Sequence, residues 1–451
     1  GPEGPELALA ADLEAGDGAP ARLELDARRA GVAGRTQMGA KLKGLEADAL
    51  AALAATEPAS GEGWLDLQLD AALDGGGRLE TLTGRVEARA VRLAGVEGRA
   101  GRLDRVATRL HWRQEAGRLE LRDLAVRGPG ISVAGHGSVM PSGPRAVVLR
   151  LDLGPLAVDL PERFAAPLAF DAGALEARFS LDPPTAEIAT ARLSAGETTL
   201  AARGRLRSSP GGALGADLTL SGREIPVARL RSHWPVGAAA NAREWVRENL
   251  VSGTVTRVEA DLRLGDGPPR ADMHFRFRDV VSRYLDDMTP IEGAAGQGRL
   301  TADAFFLDLE AGQVRPGGGS PISLAGSRLA VDDLFGKVTP ADIDIRADGT
   351  VPSALALIDE PPLGFVGKLG LDARGVAGEA AIRARLEFPL LQDLTLEQIR
   401  VRAEAGLADV ALSLPLAGAP RQVRAERLDL VATVEEMELT GPARLDGTPL
   451  D

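Results

Sequence analysis

The stretch RVEADLRL, residues 257–264, alternates strictly between apolar and charged side chains. Val258, Leu262 and Leu264 fall on one side of an extended chain, and the charged residues fall on the other. Successive side chains of a β-strand point to opposite faces, so this pattern predicts a strand with one apolar face and one face in water. A fully buried parallel strand would show an unbroken apolar run instead.

The same alternation recurs along most of the chain. It is clearest over residues 147–153, 175–181, 273–277 and 382–388. Turn-forming stretches such as SSPGG and RPGGG separate these runs at intervals of roughly 8–20 residues, which is typical of antiparallel meanders. The sequence therefore predicts a mostly β protein of antiparallel strands. Its 451 residues are too many for a single compact core and indicate two to four domains or one elongated body.

Composition excludes several classes of function. The formal net charge of −13 argues against a nucleic-acid backbone as partner, since phosphate binding needs a basic surface. The chain has no cysteine, which excludes disulfides, thiolate catalysis and cysteine-based metal sites. Aromatic residues make up only 3% of the chain, so leucine, valine and alanine must supply the apolar faces.

Three segments have helical rather than alternating spacing. Residues 42–56 and 353–359 are predicted to form short helices. The best-defined helix is predicted over residues 241–251, where Asn241 and Glu244 have the spacing of a capping box. Its apolar stripe consists of Ala242, Trp245, Val246 and Leu250. We expect this stripe to lie on an apolar sheet surface.

No constellation of residues indicates catalysis or a metal site. The four histidines, His111, His136, His233 and His274, are scattered and lack a second ligand at metal spacing. We therefore interpret the chain as not an enzyme and expect it to use no cofactor. The apolar strand faces must nevertheless be covered. Either they meet each other in a dry sandwich core or they line a groove that holds an apolar ligand, and periodicity alone leaves both possibilities open.

The sequence contains no run of about 18 or more apolar residues, so no membrane-spanning helix is predicted. The chain opens with Gly1-Pro2 rather than methionine, a pair that cleavage of an expression tag can leave behind. Under that interpretation the chain is an excised fragment, and any membrane anchor lies outside it.

From about Arg223 to Pro389 the chain resembles the AsmA-like superfamily of bacterial envelope proteins, in particular its YhdP branch. The resemblance rests on IPVARLRSHWPVGAAANAREWVRENLVSGTVTRVEADLRL, FRFRDVVSRYLDDMTPIEGAAGQGRL, FFLDLEAGQV, PISLAGSRLAVDD and PSALALIDEPPLGF, which occur in this order. Residues 1–222 are similar more loosely, through their strand pattern. Such proteins are anchored in the inner membrane and cross the periplasm as a curled antiparallel sheet. They are implicated in moving phospholipid toward the outer membrane.

The resemblance implies the fold and function that we expect here. The fold class is mostly β, an elongated, curled antiparallel sheet forming an open apolar groove, with a few short helices. We expect a β-groove segment over 1–222, a helical insertion over 223–252 and a second β-groove segment over 253–451. The function is a periplasmic conduit that shields the acyl chains of phospholipid between inner and outer membrane, the full-length protein being anchored to the inner membrane.

The predicted groove lining is the apolar face of the clearest strands. It comprises Val147, Leu149, Leu151, Leu175, Phe179, Leu181, Val258, Leu262, Leu264, Met273, Phe275, Phe277, Leu307, Leu309, Ile343, Ile345, Ile382, Leu386 and Phe388. The helix over 241–251 is a candidate gate or cap of the groove, or it merely covers exposed apolar sheet. The candidate gate residues are Trp234, Trp245, Val246 and Leu250.

Three alternatives to this function remain open. The first is a scaffold for assembly of outer-membrane proteins, which would use exposed strand edges and envelope protein partners. The second is an enzyme acting on envelope lipid or glycan, which would require a polar cluster in the cavity. A third alternative is a purely structural β-array with a dry core.

Overall fold

A computed structural model describes residues 3–13, 21–30, 34–46, 63–92, 98–181, 183–208, 214–236, 240–265, 270–285, 287–334, 339–368, 375–389, 398–416, 419–433 and 436–450. Within these residues the chain is mostly β-strand with a few short helices, and every described strand pair is antiparallel. The predicted fold class, a mostly β protein of antiparallel strands with a few short helices, is therefore confirmed.

The chain divides into two compact units. The N-terminal unit comprises Gly1–Leu220, Ser232–Ala238 and Arg263–Pro269. The C-terminal unit comprises Ser221–Arg231, Ala239–Leu262 and Arg270–Asp451. The division passes through the helical connection and the two strands that flank it.

The N-terminal unit is a meander in which strands that follow each other along the chain pair side by side. Its strands are β1 (Glu3–Leu13), β2 (Ala21–Ala30), β3 (Arg35–Glu46), β4 (Trp64–Leu73), β5 (Leu79–Arg92), β6 (Arg102–Arg113), β7 (Arg118–Gly128), β8 (Ile131–Pro141), β9 (Ala146–Val158), β10 (Leu168–Phe170), β11 (Ala172–Leu181), β12 (Pro184–Ala195) and β13 (Thr198–Ser208). β10 pairs with β9, and β9 also pairs with β11, from which the meander continues to β13.

A helical connection joins two long strands, β14 (Leu214–Pro226) and β15 (Leu250–Leu264). It consists of α1 (Val227–His233) and α2 (Ala240–Asn249).

The C-terminal unit continues with strands and two further helices. These are β16 (Arg270–Ser282), β17 (Ile291–Leu300), β18 (Ala304–Val314), β19 (Ile322–Ser323), β20 (Arg328–Asp332), β21 (Pro340–Thr350), α3 (Val351–Asp359), α4 (Phe365–Lys368), β22 (Ala377–Pro389), β23 (Arg400–Leu416), β24 (Ala419–Thr433), β25 (Met437–Thr440), β26 (Ala443–Leu445) and β27 (Thr448–Leu450). β18 pairs with both β19 and β20, and each of these pairs with β21. Antiparallel pairing then runs from β21 through β22 and β23 to β24.

The helix predicted over residues 42–56 is wrong where the structure describes it. Residues 42–46 belong to β3, and residues 47–56 lie outside the described residues. Leu42 and Leu45 suggested a helix because they are three residues apart and both apolar. A β-bulge at Gly44, whose φ is +69°, produces the same spacing, so Leu42 and Leu45 face Leu67 and Leu65 on one side of the sheet.

The helix predicted over residues 241–251 exists with different ends. It begins at Ala240, so Asn241 lies inside the helix and not at its N-cap. It ends at Asn249, and Leu250 is already the first residue of β15. The preceding helix α1 was not predicted, because seven residues are too few for helical spacing to be distinguished from alternation.

The helix predicted over residues 353–359 is confirmed, and it starts two residues earlier. The Thr350 hydroxyl accepts a hydrogen bond from the Ser353 backbone N–H at 3.3 Å and so caps the first turn. The buried Ser353 hydroxyl in turn donates to the carbonyl of Ser320 at 2.9 Å. The second hydrogen bond joins the first turn of α3 to the segment that precedes β19.

One glycine in β15 gives a direct test of the strand packing. Gly253 has φ +127°, and a Cβ there would lie 2.6 Å from Val280 Cγ2 and 2.7 Å from Val280 Cα. We expect Gly253→Ala to lower the free energy of unfolding by roughly 2–4 kcal/mol, through backbone strain and overpacking against buried Val280. Gly406→Ala in β23 is the control, because a Cβ there meets nothing within 4 Å. Equal losses of unfolding free energy in the two variants, measured by urea unfolding, would contradict this packing.

Candidate apolar lipid-binding faces

The pairing register of the N-terminal unit builds one uninterrupted apolar face. Residues directly opposite each other in antiparallel strands share a face, so the register can be followed from strand to strand. The central row of this N-terminal apolar face is Leu9, Leu25, Ala40, Leu69, Gly84, Leu110, Leu121, Gly137, Leu151, Leu175, Ala191 and Ala202. With strands about 4.8 Å apart, the row extends for roughly 50 Å along the succession of strands.

The C-terminal unit builds a second face by the same geometry. The central row of this C-terminal apolar face is Phe275, Gly298, Leu307, Leu329, Ile343, Leu386 and Val401. A flanking row runs parallel to it through Met273, Leu300, Phe305, Val331, Ala341 and Phe388. Neither row contains a charged side chain, so a hydrocarbon on this face would meet only apolar groups.

The members of both central rows are half-buried or exposed, and none is buried. In two sheets packed face to face, large inward side chains interdigitate and lose nearly all their exposure. Exposure is greatest at the first strands, where Leu7 is 69% and Leu9 is 54% exposed. The central rows of the two faces are therefore within reach of a ligand.

Glycines make these faces smooth. The ring of Phe275 lies across Gly298, where a Cβ would be 2.3 Å from Phe275 Cζ. Leu151 lies across Gly137 in the same way, with 2.7 Å between Leu151 Cδ2 and a Cβ at that glycine. At these two positions the large side chain therefore fills the space above a glycine on the neighbouring strand.

The predicted lining residues of β9, β11, β16, β18, β21 and β22 lie on these faces, whereas Val258, Leu262 and Leu264 belong to β15, which is part of neither row. In the N-terminal unit Leu151 lies opposite Leu175 and Val147 opposite Phe179. Leu181 lies opposite Pro184, and its side chain is outside the described part. Val147, Phe179 and Leu264 are exposed. The following are half-buried: Leu149, Leu151, Leu175, Val258, Leu262, Met273, Phe275, Phe277, Leu307, Leu309, Ile343, Ile345, Ile382, Leu386 and Phe388.

Helix α3 covers one part of the C-terminal apolar face. Its Leu357 packs against a buried cluster of Val314, Ile322 and Ala347, and the predicted lining residues Ile345 and Ile382 pack against the same cluster. At its far end Glu360 accepts a hydrogen bond from the Thr289 backbone N–H at 2.8 Å. The sequence did not indicate this position for α3, because helical spacing marks an apolar side but not the surface that it meets.

The candidate gate residues lie in two different units. Trp234 is half-buried in the N-terminal unit, whereas the other three belong to the C-terminal unit. Val246 and Leu250 are half-buried, but Trp245 is 49% exposed. The apolar side of α2 is therefore only partly covered.

The opposite face of each sheet is charged and wet. Arg150 pairs with Glu176 at 2.8 Å across β9 and β11, and Arg299 pairs with Asp272 at 2.9 Å across β17 and β16. The hydrogen bond from Arg299 holds the pKa of the Asp272 carboxyl below its usual range. A depression of about 490 Å³ in the C-terminal unit is lined by Phe306 and by charged side chains that include Arg276 and Asp308. These ion pairs keep the charged face in water. We call this charged face the outer face and the opposite, apolar face the inner face.

Among the described residues, no group of three histidine, aspartate or glutamate side chains could hold a metal ion. No helix in the described ranges is both long and apolar enough to cross a bilayer. Tyr284 is the chain's only tyrosine, and burial together with the charge of Glu360 raises its pKa to about 12. Its phenol is therefore protonated at neutral pH.

Comparison with protein-family models, curated proteins and solved structures found no match to the chain.

Proposed function

We propose that this chain shields the acyl chains of phospholipid on its inner apolar faces while the lipid crosses an aqueous compartment. The observation that carries the proposal is the central row of each face, which is continuous, free of charge and not buried under a second layer. A dry sandwich core would have buried the same leucines. The resemblance to AsmA-like envelope proteins suggests the periplasm as that compartment and an inner-membrane anchor in the full-length protein.

The energetics support this assignment. Moving hydrocarbon into water costs roughly 0.8 kcal/mol for each CH₂ group, so a sixteen-carbon chain costs on the order of 12 kcal/mol. A leucine- and alanine-rich surface removes much of that cost. The hydrocarbon core of a bilayer is about 30 Å thick, so one acyl chain reaches about 15 Å. A row of roughly 50 Å offers several equivalent positions for such a chain, and its smooth floor favours none of them.

Site-specific photo-crosslinking tests the proposal. p-Benzoylphenylalanine is placed at Leu175 or Leu307 on the inner faces, and at Arg178 or Phe306 as outer-face controls on the same two strands. The purified variants are irradiated with vesicles that contain a labelled phospholipid. We expect lipid adducts at Leu175 and Leu307 and few at the control positions. Equal adducts on both faces, or none on the inner faces, would refute the proposal.

A further inference from the structure

An aromatic ring interrupts the charged side of β18. Residues 305–310 read FFLDLE, so the positions that alternate with the apolar face are Phe306, Asp308 and Glu310. Phe305 lies in the flanking row of the C-terminal apolar face, and Phe306, as the next residue of the strand, points to the outer face. Phe306 is 40% exposed, and within the described ranges no other aromatic ring packs on it. An open ring face therefore occupies a position where the pattern otherwise places a carboxylate.

Hydrogen-bonding side chains surround this ring at spacings that the strand register fixes. Arg299 on β17 lies directly opposite Phe306. In the next row of the outer face, Gln297 lies opposite both Asp308 and Arg276. Neighbouring strands are about 4.8 Å apart and same-face residues of a strand about 6.8 Å apart, so the Cα atoms of Arg299, Gln297 and Asp308 lie roughly 5–8 Å from that of Phe306. All of these side chains line the depression of about 490 Å³.

The charges in and beside this depression balance. They form four ion pairs, which are Arg257–Glu259, Arg299–Asp272, Arg276–Glu310 and Arg328–Asp308. With histidine counted as neutral, four positive and four negative groups sum to zero. The depression therefore offers neither an anion nor a cation a net attraction. What it offers is an aromatic face, N–H donors of guanidinium and amide groups, and carboxylate acceptors.

A saccharide is the class of ligand that matches this combination. One face of a pyranose ring carries C–H groups, which pack against the electron-rich face of an aromatic ring. The hydroxyl groups at its rim each donate and accept hydrogen bonds, so they are complementary to a mixed set of donors and acceptors. A purely apolar ligand would instead remove water from Arg299, Gln297 and Asp308 without replacing its hydrogen bonds. The volume lies within the range of roughly 300–1,000 Å³ of small-molecule sites.

We propose that the outer face of the C-terminal unit binds a neutral oligosaccharide, with one sugar ring stacked on Phe306 and its hydroxyl groups hydrogen-bonded to Arg299, Gln297 and Asp308. This site goes beyond the proposed function, because it lies on the face opposite to the apolar rows. β18 serves both faces, since Leu307 belongs to the central row of the inner face and Phe306 to the outer face. A lipid and a saccharide can therefore be bound at the same time.

Fluorine NMR with the full chain tests where a saccharide binds. 4-Fluorophenylalanine is placed at position 306 or, as a control, at Phe179, which is 36% exposed but lies on the inner face of the N-terminal unit. Each protein is titrated with triacetylchitotriose and with maltotriose. We expect at least one of these to shift the signal at position 306 saturably, with a Kd below about 10 mM, and to leave position 179 unchanged. The Kd should stay the same in about 0.5 M sodium chloride, because the ligand is neutral. No shift at position 306 with either saccharide, equal shifts at both positions, or loss of binding in salt would overturn the proposal.

Saturation-transfer NMR on variants tests the role of the ring. Phe306→Leu keeps an apolar side chain but removes the aromatic face, so we expect the Kd to rise at least about fivefold. Phe306→Trp restores an aromatic face and should stay within about threefold of the original Kd. Trp64→Leu, which removes an exposed aromatic side chain of the N-terminal unit, should leave the Kd unchanged.

Unchanged binding by Phe306→Leu, or equal losses in Phe306→Leu and Phe306→Trp, would refute stacking on this ring. Circular dichroism checks that each variant is folded. Lipid crosslinking at position 307 is measured in parallel and should persist in Phe306→Leu, because the two side chains lie on opposite faces of β18. Failure of the saccharide site is thereby distinguished from failure of the apolar faces to bind lipid.

Discussion

Leu151→Asp will reduce lipid crosslinking at position 175 roughly 50-fold. Leu151 lies in the central row of the N-terminal apolar face, between Gly137 on β8 and Leu175 on β11. A carboxylate there keeps its hydration shell, because removing a charge from water without a partner is far more costly than leaving it wet. About three neighbouring CH₂ groups of a bound acyl chain would then remain hydrated, which costs about 2.4 kcal/mol.

Val148→Asp is the matched control for this substitution. Val148 is half-buried on the same strand but points to the outer face, where it lies opposite Arg178. The new charge is therefore placed beside a cation and away from the apolar row. We expect Val148→Asp to leave crosslinking at position 175 within about twofold of the original value. Equal losses in the two variants would show that the effect is damage to β9, and an unaffected Leu151→Asp would show that lipid does not lie on this row.

Alternation predicted which side chains share the apolar face of strands such as β9 and β11, because burial acts on every second residue of a strand. Leu151 and Leu175 were assigned to the lining from separate segments, and the structure places them directly opposite each other. Their alignment follows from the meander, in which neighbours along the chain are also neighbours in the sheet. The length of the row could not be predicted, since it depends on the register of every intervening pair. Gly137 and Gly298 were missed for a related reason, because a glycine contributes to the floor only through the side chain that lies across it.

The bulge at Gly44 shows where periodicity misleads. It adds one residue to β3, so that two leucines on the same face are three positions apart, as they would be in a helix. The sequence signal that could have prevented the error is the glycine itself, since an isolated glycine within a strand pattern is typical of a bulge. Local backbone geometry at Gly44 therefore sets the spacing of the two leucines, and the hydrophobic pattern alone could not distinguish this bulge from a helix.

The apolar side chains of α2 and α3 are covered to different extents. Leu357 of α3 packs on a buried cluster, whereas Trp245 of α2 stays half exposed. The stripe of α2 was visible in the sequence, but a stripe states only which side of a helix is apolar. Whether protein, ligand or membrane covers that side depends on where the flanking strands place the helix. Sequence reasoning about α2 therefore identified the relevant side chain without identifying the surface that it contacts.

Leu357→Asp will weaken the C-terminal unit where α3 covers the sheet. Leu357 packs against Val314, Ile322 and Ala347, so the substitution removes apolar contact and brings a charge to the surface of a buried cluster. We expect the free energy of local opening to fall by roughly 3 kcal/mol in this part of the unit. Hydrogen exchange of backbone amides in β21 and β22 measures that loss directly, because both strands contribute to the covered surface.

The neighbouring residue provides the control. Ile358 is also apolar, but it is 37% exposed and is not part of the buried cluster. Ile358→Asp places the same charge on the same helix at a position where it remains in water, so exchange in β21 and β22 should change by less than about 0.5 kcal/mol. If the two variants opened the strands equally, α3 would be held by its Thr350 cap and the Glu360 contact and not by Leu357. A selective effect of Leu357→Asp would instead show that this leucine keeps Ile345 and Ile382 covered, which limits the part of the C-terminal apolar face that is open to an acyl chain.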